Sequence, residues 1–129
     1  MNLNINLLLF LIFCNINFSQ NSMDLDILHG IKNPDLVGDT IKLEKNTFNA
    51  FNKMQIAAKK DGINLKIASA HRGYDRQKLI WNTKFKKFTT EFNLKPGQAV
   101  YEIIRFSTIP GTSRHHWGTE IDIIDNNYP

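Results

Sequence analysis

The sequence predicts an α+β fold, with helices packed on a small, mainly antiparallel sheet. Three observations predict it. Three stretches carry apolar residues at three- and four-residue spacing. Two short stretches alternate apolar and polar residues. The helical and strand patterns are mixed without a regular strand–helix–strand rhythm, which disfavours a doubly wound parallel sheet.

In chain order, residues 21–43 show no strong period, and Gly30, Pro34 and Gly38 mark turns. From Glu44 to Lys60 the positions Phe48, Phe51, Met54, Ala57 and Ala58 form one face of an amphipathic helix, which Gly62 is placed to end. Ile63, Leu65 and Ile67 then alternate with Asn64, Lys66 and Ala68, the pattern of a strand with one buried face. A second helix is predicted from Asp75 to Phe88, with Trp81, Phe85 and Phe88 on one stripe beside Leu79 and Ile80. Pro96-Gly97 opens a third helix, Gln98 to Phe106, with Val100, Ile103 and Ile104 inward, and Pro110-Gly111 ends it. A last strand is read in Thr119 to Ile124: Ile121 and Ile123 face the core, Glu120 and Asp122 the opposite side.

The first 23 residues contain no Asp, Glu, Lys or Arg, and Leu7 to Cys14 is a continuous apolar run. It is too short for a hydrocarbon core of ~30 Å, but suits the apolar centre of a secretory signal. The expected organisation is a signal peptide over 1–19, an N-terminal leader over 20–43 and one domain over 44–129. That implies an exported protein, periplasmic or extracellular, with no stable membrane span once the signal is removed. A buried N-terminal strand or helix is the alternative reading of the same run.

One cysteine in 129 residues excludes a disulfide framework and any multi-cysteine zinc or iron–sulfur site. A net charge of +4 favours an anionic partner, but no run of like charge is long enough for a nucleic-acid arm. Nucleic acid is therefore not an expected partner.

Two segments carry the chemistry. In Ser113-Arg114-His115-His116-Trp117-Gly118-Thr119-Glu120-Ile121-Asp122, a loop histidine and a strand aspartate can converge on one metal ion, since imidazole and carboxylate are ligands that zinc takes in open sites. The same residues also read as a polar turn whose histidines bond loop carbonyls. In Ser69-Ala70-His71-Arg72-Gly73-Tyr74-Asp75-Arg76-Gln77, an arginine at a strand end can hold a carboxylate or a developing oxyanion through its fork of donors. The plainer reading has Asp75 capping the helix and Arg72 solvated.

Together the two segments resemble the VanY-like D-alanyl-D-alanine carboxypeptidases, zinc peptidases of the bacterial cell wall. The pattern S-x-x-R-x-x-x-x-Q is met by Ser69, Arg72 and Gln77, and S-x-H-x-x-G-x-x-x-D by Ser113, His115, Gly118 and Asp122. The resemblance implies a hedgehog/DD-peptidase-like fold, a Zn2+ cofactor held by His115 and Asp122, and a peptidoglycan stem peptide as partner. It implies that Arg72 binds the substrate carboxylate or steadies the oxyanion, with Ser69, Gln77 and Ser113 shaping that subsite. The expected reaction is hydrolysis of a terminal D-alanyl-D-alanine peptide bond.

His116, next to a ligand position, is expected as a loop or core-edge histidine, and His71 as a packing residue beside Arg72. Trp81 and Trp117 are expected to pack in the core and the cavity wall. His29 receives no role.

Family members carry a further C-terminal segment with a glutamate general base and a histidine as third zinc ligand. The sequence ends at Pro129, shortly past Asp122, so the domain is expected to be C-terminally incomplete and its catalysis impaired. Glu120 is the nearby carboxylate that could substitute. The alternative function is a non-catalytic module that binds stem peptides, or an inactive fragment.

Overall fold

The structure, a computed structural model, describes residues 24–128. The apolar run expected to direct export lies outside the described residues. Among the described residues, four helices, a 3-10 turn and two strands follow in the order α1 (Leu25–Leu28), α2 (Lys45–Lys60), β1 (Leu65–Ser69), α3 (Tyr74–Thr90), α4 (Pro96–Ile104), the turn Arg114–Trp117 and β2 (Asp122–Asp125). The predicted architecture is observed: helices packed on a small antiparallel sheet.

Helix α2 starts where predicted because the Glu44 carboxylate accepts hydrogen bonds from the Asn46 and Thr47 backbone N–H groups, donors that a helix start otherwise leaves unpaired. Helix α3 is capped differently from the expectation. Its N-cap is Gly73, which offers no side chain, and Asp75 lies within the first turn. Helix α4 starts at Pro96, where the missing N–H costs nothing, and the Lys95 N–H is bonded by the Gln98 side chain at 3.1 Å.

Strands β1 and β2 pair antiparallel, with Ile67 opposite Ile123 and Ser69 opposite Asp122 across a bulge. This register sets the chain leaving β1, Ala70 to Arg72, beside the start of β2. Leu43, Phe51 and Ile67 form the buried cluster, with Ile41, Phe48, Leu65, Ala70 and Ile121 packed around it. Each large buried side chain contributes roughly 1.5–3 kcal/mol. Between α3 and α4, Ala99 and Ile103 are buried.

Three assignments of facing are corrected. Val100 and Ile104 are exposed, because α4 turns its Ala99–Ile103 stripe onto α3. The last strand begins at Asp122, so Glu120 and Ile121 precede it, and Ile123 is exposed while Ile121 packs on the core. In α2, Met54 and Ala57 are exposed, leaving Phe51 as its buried anchor.

The segment before Glu44 also contributes more than turns. Leu43 is fully buried, Val37 and Leu43 form an antiparallel bridge, and the Trp117 indole N–H donates to the Leu28 carbonyl at 3.0 Å.

Gly118 ends the 3-10 turn at φ +71°, where its carbonyl accepts from Glu44 N–H at 2.9 Å. A Cβ there would stand 2.6 Å from Leu36 Cδ2 and 2.9 Å from the Glu44 backbone nitrogen. Glycine alone meets both demands.

Candidate active site

Among the described residues four polar side chains are buried: Gln77, Ser113, His115 and His116. They lie where the 3-10 turn packs against the exit of β1 and the start of α3, and burial requires each to find partners.

Three hydrogen bonds lace the turn to that exit. Arg72 N–H donates to the His115 carbonyl at 3.2 Å. His115 Nδ1 is 2.9 Å from the Ala70 carbonyl, and His116 Nδ1 is 2.6 Å from the Arg72 carbonyl. A carbonyl only accepts, so both rings carry hydrogen on Nδ1.

The two adjacent histidines thereby diverge. His116 Nε2 accepts from Gly111 N–H at 3.1 Å, so both its nitrogens are committed. His116, expected as a loop or core-edge histidine, is instead fully buried within the turn. His115 Nε2 instead faces carboxylates: Asp122 Oδ2 at 3.5 Å and Glu120 Oε2 at 3.6 Å. The other Glu120 oxygen takes the Arg114 guanidinium at 2.6 Å.

A cavity of about 590 Å³ opens over this group, and Arg72, Gln77, His115, Glu120 and Asp122 are on its wall. Four of the predicted site residues are thus brought together. Arg72 Nη2 lies 3.9 Å from Asp122 Oδ2, a loose pairing, and Arg72 Nε is buried without a hydrogen-bond partner. Gln77 Nε2 donates to the Thr108 carbonyl at 2.8 Å, while its Oε1 is buried and unpartnered.

Ser69 and Ser113 are placed elsewhere. Ser69 lines a separate hollow of about 280 Å³ with Lys42 and His71. Ser113 is fully buried and caps the 3-10 turn, accepting from His115 N–H at 3.3 Å. Burial pushes the His71 imidazole below its ordinary range, the neighbouring His116 adding to the effect, and its Nε2 has no partner. His29, without a role in the sequence, meets the Gly111 carbonyl through Nδ1 at 3.0 Å.

The rest of the lining was not foreseen from the sequence. Ile80, Lys84, Ile104, Arg105, Phe106, Ser107 and Thr108 complete it. Helical arithmetic offered part of it: Ile80 and Lys84 follow Gln77 at i+3 and i+7, and so share its face.

The donor set fits part of a zinc site. His115 presents a bare Nε2 lone pair, oriented by a backbone carbonyl on its other nitrogen, next to a carboxylate, which is how zinc-binding imidazoles are held. No group of three or more His, Cys, Asp or Glu side chains among the described residues is arranged to hold a metal ion.

A loosely paired guanidinium and a bare imidazole nitrogen thus share one polar cavity. A family model described as VanY, D-alanyl-D-alanine carboxypeptidase, matches residues 40–129. The chain belongs to that VanY family. It is 36% identical over 81 residues to "Putative carboxypeptidase YodJ" of Bacillus subtilis, covering 63% of this chain and 26% of that protein.

Among solved structures, VanYB in complex with D-alanine-D-alanine superposes with a TM-score of 0.68 at 22% identity, covering 74% of this chain and 54% of that one. The E175A mutant of VanY from the VanB-type resistance cassette, a D,D-pentapeptidase in complex with Zn(II), gives 0.65 at 22% identity, over 71% and 52%. The LD-carboxypeptidase LdcB gives 0.59 at 26% identity, over 77% and 47%. The chain spans about half the length of these structures and about a quarter of YodJ.

Proposed function

We propose that this chain carries the substrate-binding arginine and two metal ligands of a zinc-dependent carboxypeptidase that hydrolyses D-alanyl-D-alanine, or a related bond, in peptidoglycan stem peptides. One observation carries the reading. The Arg72 guanidinium, with a buried and unpartnered Nε, shares a cavity wall with the bare Nε2 of His115.

Arg72 is the group that takes the terminal carboxylate, or steadies negative charge developing on the scissile carbonyl oxygen, through charge-assisted bonds in a partly dry site. The buried Oε1 of Gln77 accepts an N–H from the substrate backbone, which fixes the peptide's direction. His115 and Asp122 are the residues that would hold zinc, and zinc bound there would supply Lewis-acid polarisation and activation of water. Ser69 and Ser113 act at a distance, Ser113 by holding the turn that presents His115.

A second reading, a module that binds stem peptides without cleaving them, is favoured by the lack of a three-ligand group among the described residues. One experiment separates the two: D-alanine release from, and calorimetric binding of, a D-alanyl-D-alanine-ended peptide in zinc buffer. Release that disappears in H115A supports the enzyme. Binding without release supports the module, and binding indifferent to R72A defeats both. Export through the first 19 residues belongs to the same proposal, because the stem peptide lies outside the cytoplasmic membrane; a mature N-terminus near Gln20, seen by mass spectrometry of secreted protein, tests it.

A further inference from the structure

Besides Arg72, the cavity lining carries two cations of unequal status. Arg105 is paired with Glu102 at 2.8 Å, and its guanidinium lies 5.2 Å from the Phe106 ring centre. Lys84 is half-buried and has no carboxylate partner among the described residues. Its ammonium donates instead to Ser107 Oγ. A hydroxyl that accepts from an ammonium keeps its own hydrogen for a third group. Lys84 and Ser107 therefore present an N–H and an O–H donor together, with an uncompensated positive charge, on the wall of the 590 Å³ cavity.

Helix geometry sets the spacing. Gln77 and Lys84 lie on one face of α3, seven residues apart, which is about 10 Å along the axis at ~1.5 Å per residue. An extended peptide advances at most ~3.6 Å per residue. From a terminal residue held near Arg72 and Gln77, the residue two positions earlier lies about 7 Å away, and its side chain spans the rest.

We propose that Lys84 and Ser107 form a second anion subsite, which selects peptides with a side-chain carboxylate on the residue just before the terminal pair. The proposal rests on the stem-peptide reading above and adds a specificity that the reading does not contain. Arg105 takes no part, since Glu102 already neutralises it.

The test is calorimetric binding of two probes, N-acetyl-glutamyl-D-alanyl-D-alanine and its glutaminyl counterpart, to the full chain at one ionic strength. The quantity read is the ratio of their dissociation constants. The wild type is expected to bind the glutamyl peptide about tenfold tighter, the worth of one charge-assisted pair. K84M should bring the ratio near one and S107A should lower it. K84R and R105Q should preserve it, with thermal melting to check that each variant folds. A wild-type ratio near one, with binding of both probes still dependent on Arg72, overturns the subsite and leaves the stem-peptide reading standing. A ratio that falls in R105Q and not in K84M also overturns it. Failure of the wild type to bind either probe overturns the stem-peptide reading and this inference together.

Discussion

The Ala70 carbonyl lies 2.9 Å from His115 Nδ1, across 45 residues of sequence. That one contact puts the ring hydrogen on Nδ1 and leaves the Nε2 lone pair facing Asp122. It depends on the pairing of Ser69 with Asp122, which brings the exit of β1 alongside the 3-10 turn. A site on two loops gains its rigidity from backbone acceptors of this kind.

Zinc binding should be weak, and lost in H115A. Two protein ligands leave the remaining positions to water, so affinity should fall well below that of a three-ligand site. Zinc titration by calorimetry is the measurement. Equal binding by wild type and H115A would remove His115 from the site.

H116A should behave differently from H115A despite adjacency. Removing the fully buried His116 ring orphans the Arg72 carbonyl and the Gly111 N–H, a loss of about 2 kcal/mol or more in unfolding free energy. Urea denaturation should report it.

R72A should weaken binding of a D-alanyl-D-alanine-ended peptide by about 10- to 100-fold, the range for hydrogen bonds to a charged group. R72K should recover only part, because an ammonium cannot reproduce the planar fork. Full recovery by lysine would mean that charge alone matters there.

G118A should be among the costliest single changes. The left-handed backbone costs a non-glycine residue about 1–2 kcal/mol, and the new methyl would press on the Glu44 backbone, which cannot rotate away. A melting temperature equal to wild type would show that the turn relaxes.

Acid stability should carry the mark of Glu44. Backbone hydrogen bonds from Asn46 and Thr47 hold its carboxyl below the ordinary value. Its contribution is therefore present above the unfolded-state pKa and lost as pH falls through the lower folded-state value. Thermal melts between pH 3 and 6 should show a shallower acid decline in E44Q than in wild type.

Much was settled locally, and the reason is the range of the forces involved. The 3.6-residue period of Phe48 and Phe51 and Pro96 at a helix start are readable because each acts within one or two turns of chain. Arg72, Gln77, His115 and Asp122 were legible as a set only through two spaced motifs, since nothing local brings residues 43 positions apart, such as Arg72 and His115, onto one cavity. Tertiary packing decided the rest. Ala99, Val100, Ile103 and Ile104 offer two neighbouring apolar stripes, and only contact with α3 selects Ala99 and Ile103 for burial. The division of labour between His115 and His116 comes from which carbonyl each Nδ1 meets. Lys84 and Ser107 share a wall because α3 and the loop after α4 fold together. Periodicity tells a chain which residues can be buried; the partner surface, built from distant sequence, determines which ones are.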